Sequence, residues 1–201
     1  MKRLFLIQLL LGVLLMGCDK KTEETPCNSV PLEKSTLTDS TDYRIINSVL
    51  EYYYSNYTFL HIVQETASND ALLGISHMKD ILNRENIVFD SLSLVKYSLK
   101  NEIGYFLSDS LMLNSVQLIN PQELDCLMGF VDSGWEKYYQ KYPKSFGFFS
   151  FSRPGLNEQG NRAVVEYGWY NNYSAGMGYI VILDKNSTNW AVSHRIATWA
   201  I

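Results

Sequence analysis

The chain has 201 residues, with 17 Lys and Arg against 21 Asp and Glu, a formal net charge of −4 and 46% hydrophobic residues. An acidic chain without a Lys/Arg cluster leaves no counterion-release footprint, which excludes nucleic acid as a partner class. With 14 Tyr, 9 Phe and 4 Trp, there is enough apolar side chain for one core of ordinary size.

The first element in chain order is MKR followed by LFLIQLLLGVLLM, a cationic start and a short apolar run ahead of Gly17 and Cys18. That order reads as a secretory signal over residues 1–17. The run is shorter than the roughly 20 apolar residues that cross a bilayer, and no second run approaches that length. Leu15, Met16, Gly17 and Cys18 resemble the lipobox of bacterial lipoproteins. The resemblance implies cleavage before Cys18, acylation of that cysteine and a membrane as partner through the lipid anchor. One acyl chain holds weakly, at about 0.8 kcal/mol per buried CH₂, and the two or three implied here hold firmly. Localisation in a bacterial envelope follows, at the outer membrane or cell surface rather than the inner membrane. Asp19, Glu23 and Glu24 resemble surface-sorting signals of Bacteroidota-like lipoproteins, interrupted by Lys20 and Lys21.

Residues 18–42 comprise the lipidated cysteine and a polar segment with two prolines and no aromatic residue. The segment reads as a flexible tether that buries nothing and adds nothing to stability. A single globular domain is expected over residues 43–201. Asp42 caps a helix from Tyr43 to about Ser55, with Ile45, Ile46, Val49, Leu50 and Tyr53 at helical spacing. Residues 58–67 read as a strand with Phe59, His61 and Val63 on one face and Leu60, Ile62 and Gln64 on the other. Residues 69–113 read as mostly helical, with 93–107 as the best segment and boundaries left open. A short strand at 115–119 runs into Asn-Pro-Gln-Glu, in which Asn120 caps, Pro121 takes the first helical position and Glu123 completes a capping box. Trp135, Tyr138, Tyr139 and Tyr142 then fall along one helix that Pro143 closes, a core-facing aromatic stripe rather than a sugar platform.

Residues 145–201 divide into four strands, SFGFFSFS, RAVVEYGWY, GYIVILD and WAVSHRIATWAI. In the second, Ala163, Val165, Tyr167 and Trp169 alternate with Arg162, Val164, Glu166 and Gly168; the third is apolar on both faces and therefore central. Gly155, Gly160, Gly176 and Gly178 read as turn glycines, and Gly168 as a bulge or a close packing contact. A phosphate cradle would place such glycines between a strand and a helix N-terminus, whereas here strand leads to strand. Trp199 and Ile201 share a face of the last strand and are expected in the core. The fold class is α+β, a single domain with helices packed on an antiparallel sheet and a four-stranded C-terminal meander.

The stretch from Trp135 to Trp199, with WEKYYQKYP, SRPGLN and GYIVIL, is similar to the C-terminal half of a family of uncharacterised bacterial lipoproteins. Its members read W-x-x-[FY]-Y-x-x-Y-P, S-R-x-G-[FL]-N, G-x-Y-x-x-L and a terminal W. The resemblance implies an α+β fold and no activity. The chain departs from the pattern at Asn171, Asn172 and Tyr173, so no property of that turn is carried over.

Chemistry-bearing residues are sparse. His61 and Glu65, on one face of a strand, stand about 13 Å apart at ~3.3 Å per residue, too far for a shared metal. His77 and Asp80 share a helical face without a third ligand. Arg153, Glu166 and His194 are the catalytic candidates, a polar cluster on one sheet face that also reads as a structural ion-pair network. No nucleophile elbow, zinc, Walker or Cys-x-x-Cys pattern occurs, so no cofactor or metal is expected. Cys27 and Cys126 remain after Cys18, either joined in one disulfide or free. Two function classes follow. One is a membrane-anchored, non-catalytic envelope module that binds a protein, peptide or glycan; the other is an envelope hydrolase built on Arg153, Glu166 and His194.

Overall fold

Side-chain alternation along one long strand organises the molecule, as seen in a computed structural model that describes residues 34–129 and 133–201. Strand β5 (Arg162–Asn172) sends Ala163, Val165, Tyr167 and Trp169 to one face of the sheet and Val164 to the other. Strand β6 (Ala175–Asn186) pairs with it, and β7 (Asn189–Ala200) pairs with β6, both in antiparallel register. On the other side β5 pairs antiparallel with β3 (Phe148–Phe151) and with the two-residue β4 (Gly155–Leu156). The expected four C-terminal strands are all present, and β6 lies between β5 and β7.

Beyond β3 the sheet changes sense. Strands β1 (Leu60–Val63) and β2 (Val116–Ile119) join in parallel, giving a seven-stranded mixed sheet of order β2-β1-β3-β5-β6-β7 with β4 beside β5. The expected antiparallel sheet therefore holds from β3 to β7 and not for β1 and β2. Parallel neighbours need long crossovers, and helices α2 (Ile75–Arg84) and α3 (Ser91–Lys100) lie in the segment between β1 and β2.

Helix α1 (Ser40–Tyr54) covers one face alone, burying Ile45, Ile46, Val49 and Leu50 against Leu60, Ile62, Phe149, Val165 and Val181. On the opposite face α2 and α3 pack Met78, Ile81, Leu82, Leu94 and Tyr97 on Val164, Ile180 and Ile182. Helices α4 (Pro121–Met128) and α5 (Gly134–Lys141) pack beside them on Ile119 and Phe148, with Trp135 and Tyr138 as the buried aromatic stripe. Asn120 caps α4 as expected, accepting from the Gln122 and Glu123 N–H groups at 2.9 and 3.4 Å.

Several expectations move. Asp39, not Asp42, caps α1 by accepting from the Thr41 N–H at 2.9 Å; Asp42 lies within the first turn and is buried. The best helical segment, 93–107, stops at Lys100, where Asn101 takes the C-cap. The tether expected to reach Asp42 is docked earlier: Leu37 is buried and donates its N–H to the Phe106 carbonyl at 2.7 Å, while Ser35 accepts from Phe106 at 3.1 Å. Only part of the tether can therefore be free of the body. The signal segment, Cys18 and Cys27 lie outside the described residues.

The glycine reading also splits. Gly160 turns the chain with φ 66°, but Gly155, Gly176 and Gly178 lie within strands. Gly178 is the seat of the Trp199 indole, where a Cβ would collide with the ring, and Gly168 has the Tyr170 ring over it, the close packing contact expected. Trp199 is half-buried and Ile201 is exposed, because β7 is an edge strand with one neighbour. The C-terminal residues are thus not core as expected.

Candidate functional site

The three catalytic candidates do not assemble. Arg153 is committed to Asp42: its Nε donates to Oδ2 at 3.0 Å, and the guanidinium lies over the Tyr105 ring at 4.6 Å. Lys100 reaches the same carboxylate and also donates to the Pro154 carbonyl at 2.9 Å. Burial pushes the Asp42 carboxyl up, and Lys100 and Arg153 draw it back. This knot ties α1, the end of α3 and the segment after β3 together.

Glu166 is buried on the opposite face of the sheet, accepting from the Tyr97 hydroxyl at 2.8 Å and the Leu73 N–H at 3.0 Å. Burial raises its carboxyl to about 7, and the two donors pull it down only in part. The void beside it, lined by Ala71, Ser150, Gly168, Tyr170 and Trp199, measures about 30 Å³. That holds a water or two and no substrate. His194 is exposed on β7, with Ser193 Oγ 3.2 Å from its Nδ1 and the Asp184 carboxylate within electrostatic reach. Each candidate therefore has its own neighbours, and nothing connects the three into an acid/base set.

A different cleft forms where β1 and β2 meet the end of α5. Strand alternation turns His61 toward the α4 and α5 layer, and the parallel register sets it directly opposite Gln117. The His61 ring is 3% exposed; its Nε2 donates to Gln117 Oε1 at 3.0 Å, and its buried Nδ1 has no hydrogen-bond partner. Donation from Nε2 makes Nδ1 an acceptor. Burial lowers the His61 pKa, with the Gln117 bond opposing, which favours the neutral ring.

Tyr142 stands 4.8 Å from the imidazole, ring centre to ring centre, and its hydroxyl donates to the Glu123 carboxylate. Burial, reinforced by that contact, holds the Tyr142 phenol far above its usual range. Glu123 also pairs with Lys141 at 2.7 Å, so the residue expected in a capping box works across the α4/α5 pair. Phe59, 42% exposed, closes the other side with the Lys144 ammonium 4.9 Å over its ring. Phe59, His61, Gln117, Lys141, Tyr142, Pro143 and Lys144 line an open cleft of about 370 Å³. Phe59 and Tyr142 supply aromatic walls, and of the two lysines Lys141 is paired with Glu123 while Lys144 lies over the Phe59 ring. Small-ligand sites run from about 300 Å³ upward and combine apolar walls with a few placed polar groups.

Sequence reasoning placed Phe59 and His61 on one face but weighed His61 only as a metal ligand. Gln117 and Lys144 were missed, since the β1/β2 register brings Gln117 to His61 and the chain after α5 brings Lys144, and Tyr142, expected to face the core, lines the cleft beside His61. Among the described residues no group of three His, Cys, Asp or Glu side chains could hold a metal ion, and no helix is long and apolar enough to cross a membrane. Cys126 is disulfide-bonded. The chain matches no protein-family model, no curated protein and no solved structure.

Proposed function

We propose that the protein is a lipid-anchored envelope module of bacterial lipoprotein type, held at Cys18, that binds without catalysing. In this reading the His61 cleft receives the ligand. The observation that carries it is the cleft: aromatic walls from Phe59 and Tyr142, an imidazole whose buried Nδ1 has no partner, and Lys144 beside Phe59. The ligand class that fits is a peptide or glycan bearing a carboxylate, which Lys144 meets at the rim while a ring or side chain lies between Phe59 and Tyr142. The hydrolase alternative on Arg153, Glu166 and His194 draws no support from their geometry, since Arg153 is spent on Asp42 and Glu166 faces a void of a water or two.

The test is a titration of the purified protein with a panel of acidic peptides and uronic-acid oligosaccharides. Saturable binding is expected, weakened about tenfold, or roughly 1.4 kcal/mol, by Phe59→Ala and by Lys144→Glu. Binding indifferent to both changes, or turnover of a panel member, contradicts the proposal. For the anchor, Cys18→Ser should abolish fatty-acid labelling; labelling that persists in the variant would remove it.

A further inference from the structure

Helix α3 is apolar on the wrong side. Its inward face buries Ser93, Leu94 and Tyr97. At 100° per residue, Leu92, Val95 and Leu99 fall together on the opposite face, and all three are exposed. Val88 before the helix and Ile103 after it extend the row, and the five range from 42% to 82% exposed. Helix α2, beside it in the same layer, shows the ordinary arrangement, with His77, Lys79, Asp80 and Asn83 outward. An apolar stripe on a helix normally faces a packing partner, and among the described residues nothing covers this one.

We infer that this row rests on the bilayer to which Cys18 is anchored, inserting Leu92, Val95, Leu99 and Ile103 among the lipid headgroups and upper acyl chains. The inference rests on the lipid-anchor reading. One observation brings the described chain to the row, and a second limits how far the anchor can lie from the body. The first described residues, Lys34 and Ser35, line the same surface depression as Glu102, Ile103 and Gly104, so the chain reaches the body at one end of the row. Cys126, on α4 in the same layer, is disulfide-bonded, and the other two cysteines of the chain, Cys18 and Cys27, both precede residue 34.

With Cys18 acylated, Cys27 is the cysteine left for Cys126, and about eight residues separate it from the anchor. At about 5–6 Å times the square root of the residue number, that is a mean span of roughly 15 Å. A surface held so near the membrane needs little affinity of its own, since tethering supplies a high effective concentration. Lys96, exposed between Leu92 and Leu99, can extend its ammonium to the phosphates above them. A second copy is a poorer occupant, because a stable interface takes roughly 20–30 residues a side and the row offers five.

The test uses the acylated full chain in phosphatidylethanolamine/phosphatidylglycerol vesicles carrying brominated acyl chains, which quench nearby tryptophan. Leu99→Trp, and separately Leu92→Trp, add an indole to the row; Lys79→Trp adds one to the polar face of α2. With the signal of the unaltered chain subtracted, bromolipid is expected to quench the Trp at 99 or 92 at least twofold more than the Trp at 79. Equal quenching in a chain that pellets with the vesicles overturns this inference and leaves the anchor standing. A chain that stays in the supernatant overturns the anchor and this inference with it. A dimer in detergent that Leu99→Glu dissociates assigns the row to a second copy and likewise overturns the lipid surface.

Discussion

Glu166 and His61 are both buried titratable side chains on the same face of the sheet, and they are built in opposite ways. Glu166 has internal donors on its carboxylate and a void of about 30 Å³ beside it. His61 keeps an unmatched acceptor and borders a cleft of about 370 Å³. A buried polar group is tolerated when its hydrogen bonds are met inside the protein, and an unmet one costs stability. The first arrangement therefore belongs to folding, and the second leaves a bond for something else to complete. The Asp42 knot is of the first kind, its two cations met by one buried carboxylate.

If that division is right, damage to the closed sites should appear as lost stability and damage to the open one as lost binding. The largest effect is expected at Asp42. Asp42→Asn removes the carboxylate that Lys100 and Arg153 share and leaves Lys100 with the more distant Asp39 carboxylate at 3.9 Å, and breaking a buried ion pair costs about 3–5 kcal/mol. Chemical denaturation should show that loss; a midpoint equal to wild type would mean the knot is not structural.

Glu166 comes next, through pH. Its folded pKa of about 7 lies above the reference value of 4.5, so the fold favours the protonated form. The stability it contributes is complete below about pH 4.5 and is lost as pH rises through about 7. At 1.36 kcal/mol per unit the loss is about 3 kcal/mol. Glu166→Gln should flatten that part of the stability profile and leave the variant the more stable one above pH 7. Parallel profiles for the two proteins would show that Glu166 does not titrate there.

Leu37→Ala tests whether the docked part of the tether belongs to the body. Emptying a buried leucine site costs about 2–5 kcal/mol, and the low end is expected for a peripheral segment. No change in melting temperature would return residues 34–39 to the free tether. The smallest effect on stability belongs to the open site. His61→Phe removes the unpartnered nitrogen, and the exposed Gln117 amide can turn to water, so a change below about 1 kcal/mol is expected. The same variant should nonetheless abolish ligand binding.

Much of the fold was legible because it is written in local periods. Alternation in β5, the Asn120-Pro121 start and the aromatic stripe of α5 each needed only a few neighbouring residues. What escaped depends on distant pairing. Parallel contacts of Leu60 with Val116 and of His61 with Phe148 leave no turn between them to read. Gly176 and Gly178 looked like turn residues because the indole that needs their missing side chains comes from Trp199, in the next strand. The site was less legible than the fold. Glu166 and Arg153 are close in sequence to residues that seemed able to join them, but Arg153 is drawn away by Asp42, 111 positions earlier. His61 meets Gln117 across 56 positions, so their shared cleft had no signature in either segment.

The central claim is that the unpartnered His61 nitrogen marks a ligand site, and nitrogen NMR of the three imidazoles tests it most directly. With an acidic peptide or uronic-acid oligosaccharide titrated into the full chain, His61 Nδ1 is expected to shift saturably as it accepts a hydrogen bond, while His77 and His194 stay unmoved. A binding panel member that leaves the His61 resonances in place, or shifts all three imidazoles alike, would contradict the account.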